Sequence, residues 1–556
     1  MLFRHLLPNV LSSLPVQAAV DVPRAVEFEA SLSCLGLGVA VTTPSLGLGV
    51  AQGYQYLFGG AWWPSVVPGL AVVLPVLAEN LLGDVVRDAT APHYRRRPVR
   101  HTQCAGRSAQ LGSEWKRPMA FSPPAELLET ATRRAVALRR DLHRHPELGL
   151  TEFRTASLVA QRLEALGLDV KLGRQVMDSA SRVGLPDERE LERCYRRAAA
   201  EGASAAFLPA LAGGHTAVVG LLKGADAGPV VALRVDMDAL PIHEDETQAH
   251  LPAREGFASI HPGVMHACGH DVHTALGLAA AEVLSRLRDR VKGTVKFLFQ
   301  PAEEGGRGAA PMVRAGVVED VDHFVAIHIG TGVPSLSACA AVNGHLASVK
   351  LDTTFRGRSA HAGGQPDQGR NALLAAAEAV QALYAISRHH AGRSRVNVGT
   401  MRAGSGRNVI ADHAFLEIEV RGETEEIAEY MRRRAEAALQ GAALMQDVKV
   451  EVRIVGRTTT ADSDPELARL IAEAGAEMPA ISISAVPHQA GGSEDATYFM
   501  RRVQKRGGKA AYAVIGSDLA SGHHTPRFDI DESDIGWGIE LLARTLLRLG
   551  SDSKAE

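Results

Sequence analysis

The sequence predicts an α/β catalytic domain that carries an inserted ferredoxin-like α+β domain and follows an N-terminal α-helical, membrane-like segment. Three observations lead there. Apolar runs at 230–235, 293–299 and 324–329 each lead into acids or histidines; an open α/β sheet collects its chemistry at such strand ends. Between about 345 and 456 the pattern changes to β-α-β-β-α-β, the order of a ferredoxin-like unit. No Asp, Glu, Lys, Arg or His occurs between Ala30 and Ala78, and a membrane span needs only about 20 apolar residues.

The bulk numbers bound the rest. A chain of 556 residues exceeds one hydrophobic core, so three or four domains are expected. The formal net charge is −3 and no large basic patch stands out, which argues against nucleic acid as a partner. The five cysteines, at 34, 104, 194, 268 and 339, are scattered. They indicate a reducing compartment, not a disulfide framework.

In chain order, residues 1–97 contain apolar blocks at 31–41 and 65–78, followed by the basic flank His93-Tyr94-Arg95-Arg96-Arg97. One span is expected and a second is the alternative, with the positive flank on the cytoplasmic side; a signal peptide would be shorter and terminal. Residues 98–122 read as a polar linker. The first part of the catalytic domain is placed at 123–344. It opens on a helix with Pro123-Pro124 at its start and Leu127, Leu128, Ala131, Ala135, Leu138 and Leu142 at helical spacing. His143 and His145 stand at its end, where capping of carbonyls is the commoner role for histidine and ligation the rarer. A second helix at 155–166 stops at Gly167. An unusual insert at 171–212 carries a charged helix at 188–200, read as a solvated face. The inserted domain is placed at 345–456 and the second catalytic part at 457–549.

The chemistry gathers around Met265-His266-Ala267-Cys268-Gly269-His270-Asp271-Val272-His273. Thiolate, imidazole and carboxylate are the side chains that hold a borderline-soft divalent ion. Cys268 and His270 are two apart, so in an extended segment or tight turn both can lean towards one ion. A buried His/Cys loop that binds nothing is the alternative. Other chemistry-bearing groups flank this stretch: Asp236 and Asp238 after one strand, Pro301-Ala302-Glu303-Glu304-Gly305 after the next, His328, and Gly522-His523-His524-Thr525-Pro526.

These motifs, in this order and spacing, resemble the dinuclear-metal amidohydrolases of the aminoacylase/carboxypeptidase G/hippurate hydrolase superfamily over residues 124–549. The markers are His143–Gly149, Arg234–Pro241, Met265–Thr274, Pro301–Gly305, His361 and His524-Thr525-Pro526. The resemblance implies a phosphorylase/hydrolase-like catalytic domain with an inserted lid and dimerisation domain. It also implies a site with two divalent ions per subunit, Mn or Zn, and metal ligands Cys268, His270, Glu304, His328 and His524. Glu303 would be the general base, taking a proton from water that the cations have acidified. Asp238 would orient a ligand from behind. Asp236 stands where related branches use a ligand histidine, which puts it in doubt as a ligand. His361 would steady the tetrahedral oxyanion, and Asn408 and Arg421 would bind substrate, Arg421 through a bidentate grip on a carboxylate. The insert, with Ser181-Arg182-Val183-Gly184-Leu185-Pro186-Asp187, and residues 394–408 point to the branch that cleaves p-aminobenzoyl-glutamate to p-aminobenzoate and glutamate. The expected partners are an acyl amino acid and either a second copy of the chain or a related B subunit.

Residues 2–97 resemble the C-terminal part of a peptide ABC-transporter permease, through Phe3-Arg4-His5-Leu6-Leu7-Pro8-Asn9-Val10 and Asn80-Leu81-Leu82-Gly83-Asp84-Val85-Val86-Arg87-Asp88. Such a fragment beside an enzyme suggests a gene fusion, a frameshift or a misplaced start codon. The expected location is cytoplasmic, with an inner-membrane anchor at the N-terminus. Two other classes compete: a transport component, which one or two spans cannot make alone, and an inactive metal-binding relative. Glu303 beside Glu304 argues against the second, since a binder needs no unliganded base.

Overall fold

Four parallel strands form the spine of the larger part of the molecule, a computed structural model that describes residues 122–551 together with 45, 46, 50, 63, 64 and 66–71. Two compact units make up the chain, Met1–Lys116 and Arg117–Glu556. In the first unit the described residues are mainly helical, and among the described residues no helix is long and apolar enough to cross a membrane. Most of the membrane-like segment, the permease-like stretches and the linker expected from sequence lie outside the described residues.

In the second unit the strands in chain order are β1 (Asp169–Leu172), β2 (Val218–Lys223), β3 (Asp226–Asp236), β4 (Lys292–Gln300), β5 (His323–Ile329), β6 (Ser337–Cys339), β7 (Val342–Asn343), β8 (Ala347–Arg356), β9 (Ser394–Ala403), β10 (His413–Gly422), β11 (Lys449–Thr458), β12 (Ser482–Ser484), β13 (His488–Gln489) and β14 (Lys509–Ile515). The longer helices are α1 (Ala125–Arg144), α2 (Phe153–Ala165), α3 (Glu188–Ala200), α4 (His270–Arg286), α5 (Ala372–Tyr384), α6 (Glu425–Met445), α7 (Pro465–Ala476), α8 (Thr497–Lys505) and α9 (Asp534–Gly550).

The large sheet runs β1-β2-β4-β3-β5-β14-β6-β12, with β4, β3, β5 and β14 mutually parallel. Its strands alternate between two cores. Val231, Leu233, Val235, Phe297 and Phe299 face α1, α2, α4, α7 and α9. Ala232, Leu298, Phe324 and Ala326 face α8 and the 309–318 segment. Burial on both faces explains why these strands read as continuous apolar runs. Parallel strands also place their C-terminal ends on one side, and that is where the candidate ligands emerge.

Residues 347–458 form a separate antiparallel sheet, order β11-β8-β10-β9, threaded β-α-β-β-α-β through α5 and α6. Its odd residues on β8 and even residues on β10, among them Val349, Leu351, Leu416, Ile418 and Val420, pack on the two helices. Lys350, Asp352, Glu417, Glu419 and Arg421 occupy the opposite face. The charged helix of the insert is α3, and Asp187 caps it by accepting from the Glu190 N–H.

Candidate metal centre

The loop before α4 is shaped by one glycine. Gly269 has φ 94°, and a Cβ there would meet Ile329 Cγ2 at 2.5 Å, so only glycine turns the chain here. The turn sets Cys268 on one side and His270 at the start of α4 on the other. Cys268 Sγ lies 3.5 Å from His328 Nε2 and 3.7 Å from His523 Nδ1. His270 Nε2 faces three carboxylates, at 3.8 Å from Asp236 and 4.0 Å from both Glu303 and Glu304. His524 Nε2 lies 3.3 Å from Glu304 Oε1.

The groups behind these side chains fix their tautomers. His328 Nδ1 is 2.8 Å from the Ile329 carbonyl, so it carries the proton and leaves Nε2 a free lone pair towards Cys268. His273 Nε2 accepts from the Ile329 N–H at 2.9 Å, so its Nδ1 donates to Asp236 at 2.6 Å. Both His273 nitrogens are thereby used, and this histidine tethers instead of ligating. Asp236 is also held by Arg234 at 2.8 Å, so its two oxygens are engaged by Arg234 and His273. Asp238 accepts from the N–H groups of Glu303 (2.9 Å) and Glu304 (3.1 Å) and lies 3.3 Å from His270 Nδ1. One carboxylate therefore sets the backbone of both glutamates and lies beside the His270 ring. Ala302, just before them, has φ 53°, with its N–H held by buried Glu152 at 2.8 Å.

Do these residues suit a metal? Both ring nitrogens of His270 and Glu304 Oε1 are buried without a hydrogen-bond partner, a costly state for polar atoms. Cys268, His270 and His328 each offer one donor atom within 4.8 Å of the others, and so do Cys268, Glu304 and His524, and His270, Glu303 and Glu304. Ligands about 2.0–2.3 Å from a tetrahedral ion stand about 3.3–3.8 Å apart. The triads overlap at Cys268, His270 and Glu304, as adjacent ions sharing a wall would require. The electrostatics agree. Burial pushes His270 down, but Asp236 and Asp238 outweigh it and lift its pKa to about 10. Burial, with Glu304 and Glu303 beside it, pushes the Cys268 thiol well up. Burial, with Glu494, Glu304 and Asp495, does the same to Glu303. Burial also holds His328 neutral. Negative charge thus crowds onto unsatisfied donors, and divalent cations answer both conditions. The residues fit.

A cleft of about 460 Å³ opens over this cluster, lined by Glu303, Glu304 and His524 on one side and by Lys350, Asp352, Glu417, Glu419 and Arg421 of the antiparallel sheet on the other. Arg421 therefore reaches the cleft, but its Nε and Nη2 are both on Glu419, at 2.9 and 2.8 Å. His361 and Asn408 do not line it. They sit together instead: the Ala362 N–H donates to the Asn408 carbonyl at 3.0 Å, and His361 bridges to Val409. Their loops lie before α5 and between β9 and β10.

Sequence reading missed several members. His523 gave a signal, standing beside His524, but only the fold brings it to Cys268. His143 is completely buried and caps no carbonyl; its Nδ1 meets Asp271 and its Nε2 meets Glu244, each at 2.9 Å. Burial pushes its pKa down, yet the two acids lift it to about 9. His250 shares Glu244 at 2.9 Å, and Arg139 grips Asp271 at 3.1 Å. His145 does bond a carbonyl, that of Asp141, at 2.8 Å.

Comparison with known proteins shows the family. Residues 232–548 match the model of peptidase family M20/M25/M40. The chain belongs to that family. Its relatives in the M20 family include the indole-3-acetyl-aspartic acid hydrolase of Enterobacter agglomerans, 50% identical over 74% of this chain and 94% of that one. The A subunit of the p-aminobenzoyl-glutamate hydrolase of Escherichia coli is 48% identical over 74% and 94%. Among solved structures, an aminobenzoyl-glutamate utilization protein from Klebsiella pneumoniae is 43% identical with TM-score 0.65, covering 77% of this chain and 99% of that one. A dinuclear metal binding M20 peptidase from Bacillus subtilis is 25% identical with TM-score 0.52, over 76% and 99%. As an M20 protein, the chain is a metal-dependent amidohydrolase.

Proposed function

We propose that the chain cleaves the amide between an aromatic acyl group and an acidic amino acid, with p-aminobenzoyl-glutamate as the first candidate and indole-3-acetyl-aspartate as the second. The observation that carries this reading is the convergence of Cys268, His270, Glu304, His328 and His524 around Glu303, beneath a cleft with a charged far wall. These five residues would hold two divalent ions, Mn or Zn, which when bound polarise the amide carbonyl and acidify water.

Everything else falls to side chains of the chain. Glu303 takes the proton from the attacking water and delivers it to the departing amine nitrogen. Asp238 keeps Glu303 and Glu304 in register by gripping both N–H groups. His361 donates to the developing oxyanion, and Asn408 travels with it because their loops are bridged. Both reach the site through movement of the antiparallel sheet or from a partner, either a second copy or a related B subunit, as the name of the Escherichia coli relative suggests. Arg421 serves a substrate carboxylate after exchanging Glu419. Membrane association through residues 1–97 is a separate proposal supported by their apolar sequence, and fractionation of the full-length chain tests it.

A panel of p-aminobenzoyl-glutamate, indole-3-acetyl-aspartate, benzoyl-glycine and a dipeptide tests the substrate class. The expected result is kcat/KM highest for the two acidic conjugates. Preference for benzoyl-glycine or the dipeptide would reject the acidic leaving group.

A further inference from the structure

Two cations on the antiparallel sheet reach the cleft, Arg421 and Lys350, and they are in different electrostatic states. Arg421 is paired twice with Glu419, at 2.9 and 2.8 Å. Lys350 lies directly across the β8–β10 pairing from that same Glu419, yet Glu419 is already taken. Lys350 Nζ donates instead to the backbone carbonyl of Glu304 at 2.6 Å. Among the described residues no carboxylate oxygen lies within 4.0 Å of this ammonium. An ammonium has three donors and no acceptor, so two N–H bonds remain. The cleft they share is also lined by Glu303 and His524.

We propose that Lys350 is the specificity-determining residue for the leaving amino acid, its ammonium, in no ion pair among the described residues, receiving the side-chain carboxylate of an acyl-glutamate or acyl-aspartate. Three features support this. The charge is partly buried and makes no ion pair within 4.0 Å among the described residues, its cross-strand neighbour Glu419 being held by Arg421, so a carboxylate of the ligand would pair with it. Its anchor is the backbone of Glu304, next to the proposed base, and the substituents on the α-carbon of the leaving group lie only a few bonds from the scissile nitrogen. The Glu304 carbonyl also fixes the flexible lysine stem, which cuts the entropy lost when a ligand binds. The inference rests on the acidic-leaving-group reading above and names the residue that produces it.

The decisive comparison is an acyl-glutamate against the acyl-glutamine of the same acyl group, which differ by one charge at nearly equal shape. It is run on the full-length chain and on Lys350→Gln, which keeps an N–H for the Glu304 carbonyl but removes the cation. In the variant, kcat/KM for the acyl-glutamate is expected to fall roughly 10- to 100-fold, mainly through KM. Acyl-glutamine turnover should be little changed, so the preference collapses. An equal fall for both substrates, carried by kcat, would overturn the proposal and leave Lys350 as a support of the Glu304 loop. If Lys350→Gln fails to fold, Lys350→Arg decides: charge and preference should persist, and loss of preference with acyl-glutamine turnover intact overturns it. A wild-type chain with no preference for acyl-glutamate would instead sink the acidic-leaving-group reading itself.

Discussion

Glu303 and Glu304 are neighbours in sequence with different proposed roles. Both line the cleft, but Glu304 presents a buried oxygen without a hydrogen-bond partner, 3.3 Å from His524, and Glu303 is the one proposed as the base. Replacing Glu303 with Gln should therefore leave metal content intact and lower kcat about 10²–10⁴-fold; near-wild-type turnover in that variant would remove it as the base. Cys268→Ser should do the opposite, weakening metal affinity first, because a hydroxyl is a far poorer ligand than a thiolate. Equilibrium dialysis that finds unchanged affinity would take Cys268 out of the coordination sphere. His143 gives a pH test. Its folded pKa of about 9 lies above the ordinary 6.5, so its contribution to stability is complete below about 6.5 and lost as pH rises through about 9. The melting temperature of the wild type should decline across that window. His143→Gln should be flatter there, and an equal decline in both would place the titrating group elsewhere. The candidate ligand types were readable because they cluster in short motifs. The role of His143 was not, since Glu244 and Asp271 lie 101 and 128 residues away and only the fold joins them.

Among the elements, the strands and the antiparallel unit were legible for a physical reason. Strand burial alternates with period two, and β8 and β10 write that alternation openly as Val349-Lys350-Leu351-Asp352 and Leu416-Glu417-Ile418-Glu419. Helix α4 gave no such signal. It is buried on nearly every side, from His270 to Leu284, so it lacks the polar stripe by which an amphipathic helix declares itself. The join between the two sheets was equally silent. The Arg457 N–H donates to the Gly306 carbonyl at 3.0 Å, and a Cβ at Gly456 would meet the Gly305 carbonyl oxygen at 2.0 Å. The sheet thus presses directly on the loop that carries Glu303 and Glu304. Gly456→Ala must push the two apart, and such overpacking costs about 1–3 kcal/mol. The expected result is a lower melting temperature and a lower kcat with metal content retained; unchanged kcat would show that the contact transmits nothing to the site.

At the scale of the whole molecule, all the candidate site residues lie within the unit Arg117–Glu556. That unit alone should fold and match the full chain in kcat/KM on p-aminobenzoyl-glutamate, and a large loss on truncation would give residues 1–116 a part in catalysis. The central claim is that this unit hydrolyses amides through divalent ions held by Cys268, His270, Glu304, His328 and His524. The most direct test strips the full-length protein with a chelator and titrates Mn or Zn back, recording bound metal and kcat on p-aminobenzoyl-glutamate at each step. The account predicts no turnover in the stripped protein, and activity rising with bound metal to a plateau near two ions per chain. Full activity after complete metal removal, or metal uptake unaffected by replacing those five residues, would contradict it.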